Sequence, residues 1–101
     1  MKLTYWTAPI LKTKSLEKSI EEVCQHFNVE LEKIKEHSRK RIYSDPRAII
    51  CYLLRTEHHW TWEKVGGFFN RDHATGLHHS NRVAGLMEVD KQYRELVNSF
   101  K

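Results

Sequence analysis

Three groups of side chains in this chain could carry chemistry: the basic run Arg39-Lys40-Arg41, the stretch Arg71-Asp72-His73-Ala74-Thr75, and seven histidines, with His78 and His79 just beyond that stretch. Asp72 beside His73 has the residue types of an acid–base dyad. At a turn-to-helix boundary, however, the carboxylate is better used as a helix cap accepting from free backbone N–H groups, with the imidazole pointing outward. The histidines make no metal motif: His-Glu-x-x-His is missing, His73 and His78 lie about 140° apart around a helix, and Cys24 and Cys51 lack zinc-finger spacing. No catalytic residue, metal or cofactor is expected.

Charge placement says more than the total. The 101 residues carry a formal +4, with a pI near 9.2, which permits a polyanionic partner without requiring one. Lys2, Lys12 and Lys14 give residues 1–14 a net +3. Residues 15–34 are net −3, because Glu17, Glu21, Glu22, Glu30 and Glu32 outnumber Lys18 and Lys33. Residues 35–47 return to +3, from Lys35, Arg39, Lys40, Arg41 and Arg47 against Glu36 and Asp45. A concentrated basic segment of that kind can orient a molecule towards phosphate.

The elements that must position these groups are helical. Four glycines, two prolines and no sustained apolar–polar alternation predict an all-α chain of five or six helices. Ser15 caps a first helix whose apolar stripe is Leu16, Ile20, Val23, Cys24 and Phe27, and Asn28 ends it. Val29, Leu31 and Ile34 mark a short second helix, and residues 36–45 a polar loop. Asp45-Pro46 predicts the start of a helix that is apolar nearly all round from Ala48 to Leu54, and therefore central. Thr61 caps a helix with Trp62, Val65 and Phe69 facing inward. Asn70 and Arg71 form a tight turn, Asp72 caps the next helix, and Val89 or Asp90 opens a last one with Tyr93, Leu96, Val97 and Phe100 on its inner face. Residues 1–14 form an arm whose Tyr5, Trp6, Ile10 and Leu11 either pin onto the body or fray, ahead of a single domain over residues 15–101. Both cysteines are expected reduced and buried. No run of about 18 apolar residues and no signal-like block occur, so the expected place is the cytoplasm, with no membrane contact.

The stretch Phe69-Asn70-Arg71-Asp72-His73-Ala74-Thr75-Gly76-Leu77-His78-His79 resembles the signature of the C-terminal DNA-binding domain (domain IV) of bacterial replication initiators of the DnaA family, Phe-Gly-Gly-Arg-Asp-His-Thr-Thr-Val-Leu-His-Ala. Ser38-Arg39-Lys40-Arg41 is similar to the family's basic loop and Asp45-Pro46-Arg47-Ala48 to its Pro-Arg-Gln helix entry. Thr61 to Gly66 is similar to its Ser-Leu-Pro-Glu-Ile-Gly helix, and the resemblance runs from Ser15 to Val83. It implies a compact, Trp-repressor-like fold with a helix-turn-helix that binds double-stranded DNA, as a monomer, in replication initiation or its regulation. Asp72, His73 and Ala74 would then touch base edges: a carboxylate can accept from cytosine N4–H, imidazole can bond base acceptors, and a methyl packs on thymine. Arg39, Lys40 and Arg41 would reach the minor groove, and Arg47, Arg55, Lys64, Arg71, Thr75 and His78 would meet phosphates.

The departures are specific. Asn70 stands for two family glycines, so the turn is one residue shorter; Ala74 replaces threonine; and Gly76 replaces an inward valine, with a ring such as Trp62 or Phe68 expected to fill the space. No Gly-x-x-x-x-Gly-Lys-Ser/Thr loop occurs, and Gly66-Gly67 inside a helical pattern suggests close packing. The expectation is a stand-alone domain of phage or mobile-element type. The alternative is a protein-interaction module that docks a replication or transcription protein through the arm.

Overall fold

The computed structural model describes residues 15–36, 40–71 and 73–101, with His73 placed only by its backbone. The arm, Arg39 and the Asp72 cap lie outside those residues. Six α-helices follow one another among the described residues: α1 Leu16–Phe27, α2 Leu31–Lys35, α3 Arg41–Thr56, α4 Trp62–Phe68, α5 His73–Val89 and α6 Lys91–Ser99. The described part is all-α, as the sequence predicts, and no helix in it is long and apolar enough to cross a membrane.

Local chemistry sets most of the boundaries. Ser15, Thr61 and Asp90 each accept, through the side chain, the backbone N–H three residues on, opening α1, α4 and α6. Asn28 ends α1 with φ 55°, and the Val29 N–H reaches back to the Cys24 carbonyl. Asn70 ends α4 in the same way, at φ 56°, with the Arg71 N–H on the Gly66 carbonyl at 2.8 Å. Asparagine tolerates this left-handed conformation because its short amide can bond locally. The single Asn70 therefore replaces a glycine pair without losing the turn.

α3 departs from expectation at its start. It begins at Arg41, with Lys40 as cap residue, and Pro46 lies inside it as its sixth residue. The N–H that Pro46 lacks would have met the carbonyl of Ile42 in the first turn, where the side chain is 53% exposed and water has access. Asp45 is not a cap; its carboxylate pairs with Arg82 of α5 at 3.6 Å. The inner stripe starts at half-buried Tyr43 and continues through Pro46, Arg47 and Ile50, a helical period hidden by the polar residues around it.

From Pro46 onward α3 is the axis of the core. Ala48, Ile49, Ile50, Cys51, Leu53 and Leu54 are buried, and α1, α2, α4 and α5 all pack against the helix. Val23, Ile34, Val65, Phe69, Val83, Met87, Val97 and Phe100 close the same cluster from the other helices. Ser19, which the apolar stripe of α1 omits, is buried and donates its hydroxyl to the Phe100 carbonyl at 2.8 Å. Neither cysteine is bridged. Burial pushes the Cys51 thiol up to about 12, while Cys24 is only half-buried, so the expectation of two buried thiols holds for Cys51 alone.

Candidate nucleic-acid interface

α4, the turn through Asn70 and α5 form the helix-turn-helix. What lets its two helices approach closely is Gly76: a Cβ there would lie 3.0 Å from Val65 Cγ1 and 3.7 Å from Trp62 Cε3. Trp62 and above all Val65 therefore occupy the space a valine would take; Phe68 is not among these neighbours. Gly67, by contrast, is exposed with open space beside it, so the close packing expected of the glycine pair is not found there.

With Gly76, Ser80, Val83 and Met87 turned inward, the opposite face of α5 is set. Ala74, Leu77, His78, Asn81 and Arg82 are all exposed, at spacings 0, 3, 4, 7 and 8, and make one continuous outer stripe. Ala74 and His78 belong to the expected site. Leu77, Asn81 and Arg82 were not foreseen, although the same register counted on from Ala74 reaches them. Thr75 is half-buried.

The expected phosphate contacts divide into two kinds. Arg55 and Lys64 are exposed and lie on rings: the guanidinium of Arg55 is 4.6 Å from the Trp62 ring centre and donates to the Trp60 carbonyl at 2.9 Å, and the Lys64 ammonium is 4.3 Å from the Trp60 ring centre. Each stacking is worth about 0.5–1 kcal/mol at such sites and holds a flexible cation in place with N–H groups still facing outward. Trp62 is thus a half-buried platform on the flank of α4 rather than a core ring.

Arg47 is the correction. It is 2% exposed, and its Nε and one Nη donate to the carbonyls of Ile34 and Glu36, each at 2.8 Å. Burial, then the charge of Arg71, lower its pKa, but a guanidinium stays charged. It fastens the end of α2 to α3 and presents nothing to a phosphate. Arg71 uses one Nη on the same Glu36 carbonyl, at 2.8 Å, and its Nε is buried. Through the Glu36 carbonyl, Arg71 ties the helix-turn-helix turn, and Arg47 ties α3, to the end of α2.

The N-terminus of α3 has Lys40 as cap residue with no side-chain cap bond, Arg41 as first helical residue, and no acidic side chain in its first turn. Free N–H groups and the macrodipole make this end positive, and Lys40 and Arg41 add to it, which suits an anion. Arg41 lines a shallow depression with Asp45, Arg82, Leu86 and Tyr93, beside the middle of α5. Arg55 leaves the far end of α3, about 21 Å along the axis from Arg41, or roughly six base-pair steps. Arg41 and Arg55 therefore stand at the two ends of one helix, with Lys64 near the second, and the exposed stripe of α5 runs from the turn to Arg82.

Comparison with known proteins gives this arrangement its relatives. Residues 16–83 match the family described as bacterial DnaA protein helix-turn-helix. The chain is 39% identical over 84 residues to the chromosomal replication initiator protein DnaA of Bacteroides fragilis, covering 82% of this chain and 18% of that protein. It is 35% identical over 91 residues to the protein of that name from Bacteroides thetaiotaomicron, 89% of this chain and 19% of the other. Against that of Mycoplasma genitalium the figures are 32% over 80 residues, 79% and 18%. The chain thus spans about a fifth of the length of these relatives, and it belongs to the family of bacterial DnaA helix-turn-helix domains.

Proposed function

We propose that this chain binds double-stranded DNA with sequence preference, in the initiation of replication or its regulation, by contact and without catalysis. α5 enters the major groove with Asp72, His73 and Ala74 at base edges, and Leu77, His78 and Asn81 continue along the groove wall. Lys40 and Arg41, with Arg39, approach the adjacent minor groove and its phosphates. Arg55 and Lys64 hold the backbone on the other side.

The observation that supports this best is the disposition of cations beside the exposed stripe of α5: two at the start of α3, whose first turn holds no acidic residue, and two held on Trp62 and Trp60 at its far end. Lys40 and Arg41 add to the positive end of the α3 dipole, a place suited to a phosphate backbone. Selection from random duplex oligonucleotides should return one short asymmetric motif. On that duplex about six phosphate contacts make log affinity fall with log salt at a slope of roughly −5. No enriched motif together with a slope near zero would refute the proposal.

A further inference from the structure

The exposed side chains of α5 are not equivalent. The seven residues from Ala74 to Asn81 carry the helix to about 20° short of two full turns and about 10.5 Å along its axis. Asn81 therefore points almost where Ala74 points, about three base-pair steps further on. Leu77 and His78 stand to either side of that line. Arg82 lies about 80° away from it and is paired with Asp45 of α3 at 3.6 Å. The guanidinium is thus held at the flank, and the polar group on the line itself is the amide of Asn81.

That amide is uncommitted: Asn81 is exposed, and its side chain makes no hydrogen bond among the described residues. Its neighbours one turn away are Leu77, His78, Ala84 and Gly85, none of them a carboxylate, lysine or arginine. Gly85 continues the line from Ala74 through Asn81, is exposed, and has nothing within 4 Å of where a Cβ would stand. A glycine inside a helix is unfavourable relative to alanine, and the packing of the described residues gives it no use there. What the missing side chain allows is close approach of the helix to another molecule. An unpartnered amide and a bare turn beyond it thus lie on one line.

An asparagine amide presents a donor and an acceptor side by side, the complement of adenine N7 and N6–H in the major groove, whereas an arginine fork fits guanine O6 and N7. Leu77, 40% exposed, lies between Ala74 and Asn81 along the axis, where an apolar end suits a thymine methyl. We propose that Asn81 reads an adenine through its N6 and N7, about three base pairs from the pair met by Ala74, beside a thymine whose methyl meets Leu77; this rests on the placement of α5 in the major groove proposed above. The reading face then extends two turns beyond Asp72, His73 and Ala74, and its second half asks for A·T pairs.

The experiment is selection from random duplexes with the full chain, unaltered and as Asn81→Arg and Asn81→Ala, followed by binding titrations. The unaltered chain should select an adenine that Asn81→Arg changes to guanine and Asn81→Ala leaves unspecified, with the other positions of the motif unchanged. On the unaltered motif Asn81→Ala should bind about tenfold more weakly. A second measurement needs no variant: 7-deazaadenine at that one position keeps the base pair and the N6 amino group and lacks N7, and the unaltered chain should bind that duplex several-fold more weakly. Equal binding of the adenine and 7-deazaadenine duplexes overturns the proposal. One motif shared by all three chains overturns it as well and leaves DNA reading in place, whereas no motif from the unaltered chain refutes both.

Discussion

Near the start of α3, Arg47 is buried and gives its guanidinium to the carbonyls of Ile34 and Glu36, whereas at the other end of the same helix Arg55 lies exposed across the face of Trp62. Arg71 belongs with the first and Lys64 with the second. At the inner corner the planar fork of arginine matches fixed carbonyls and becomes scaffold. On the outer flank, rings hold cations still while leaving them to solvent and to a ligand. A basic residue in a DNA-binding sequence is therefore not automatically a DNA contact; what faces it decides.

The sharpest way to break this contrast is to remove Arg47. Arg47→Ala takes the side-chain donor from the Ile34 carbonyl, leaves the Glu36 carbonyl to Arg71 alone and opens a cavity, so stability in urea should fall by about 3 kcal/mol, and Arg47→Lys should recover part of it. The salt slope of DNA binding should be unchanged for whatever remains folded. Unaltered stability with a shallower slope would move Arg47 to the outer group.

The flank is tested next through Gly76. Gly76→Val forces methyl groups towards Val65, which is stiff and fully buried, and should cost about 1–3 kcal/mol. Adding Trp62→Leu frees space and should return about 1 kcal/mol, a positive coupling in a double-mutant cycle, while weakening DNA binding because Arg55 loses its ring. Additive costs would show that Gly76 does not answer to Trp62.

A smaller effect is expected from His79, on the inner side of α5. Burial, then the charges of Arg82 and Arg47, lower its pKa to about 4 from the ordinary 6.5, and its Nδ1 is buried without a hydrogen-bond partner among the described residues. The unfolded chain takes up this proton first, so stability should drop as pH falls from 6.5 towards 4 and level off below. After allowing for solvent screening the loss is about 1 kcal/mol. Thermal unfolding against pH checks it, and His79→Gln should flatten that part of the profile.

The smallest structural effects belong to the outer cations. Arg55→Ala and Lys64→Ala should each change stability by at most about 1 kcal/mol, yet each should make the salt slope shallower by about one unit and weaken all duplexes alike. A change in sequence preference would mean that they read bases.

Most of the scaffold was legible because it is written in local chemistry: Ser15 and Thr61 as caps, Val89 or Asp90 as the opening of the last helix, Asn28 as a helix end, Asn70-Arg71 as a tight turn, and the apolar run of α3. The start of α3 was not. Proline is most at home in a first turn, so Asp45-Pro46 resembled a beginning, and the helical period through Tyr43 and Arg47 carries too little hydrophobicity to reveal itself. The burial of Arg47 was equally hidden, since its partners are carbonyls, which no side-chain pattern announces. The outer stripe of α5 was half legible: Ala74 and His78 came from the motif, while Leu77, Asn81 and Arg82 follow only once the inward face is known.

The bond from Ser19 to the Phe100 carbonyl joins residues 81 positions apart, and the His26 ring lies edge-on to Phe100, 5.9 Å away. Among the described residues the larger helix-to-helix contacts join sequence neighbours or run to α3. This clasp makes a loop of the helical string, so that α6 does not leave without uncovering Ser19 of α1, and α1 does not leave without taking the donor from the Phe100 carbonyl. Its closure spans most of the chain and costs the most entropy, which makes it a late event in folding. Once made, it denies the domain an easy first step in coming apart, and α5, which lies between the two ends in sequence, shares in that protection.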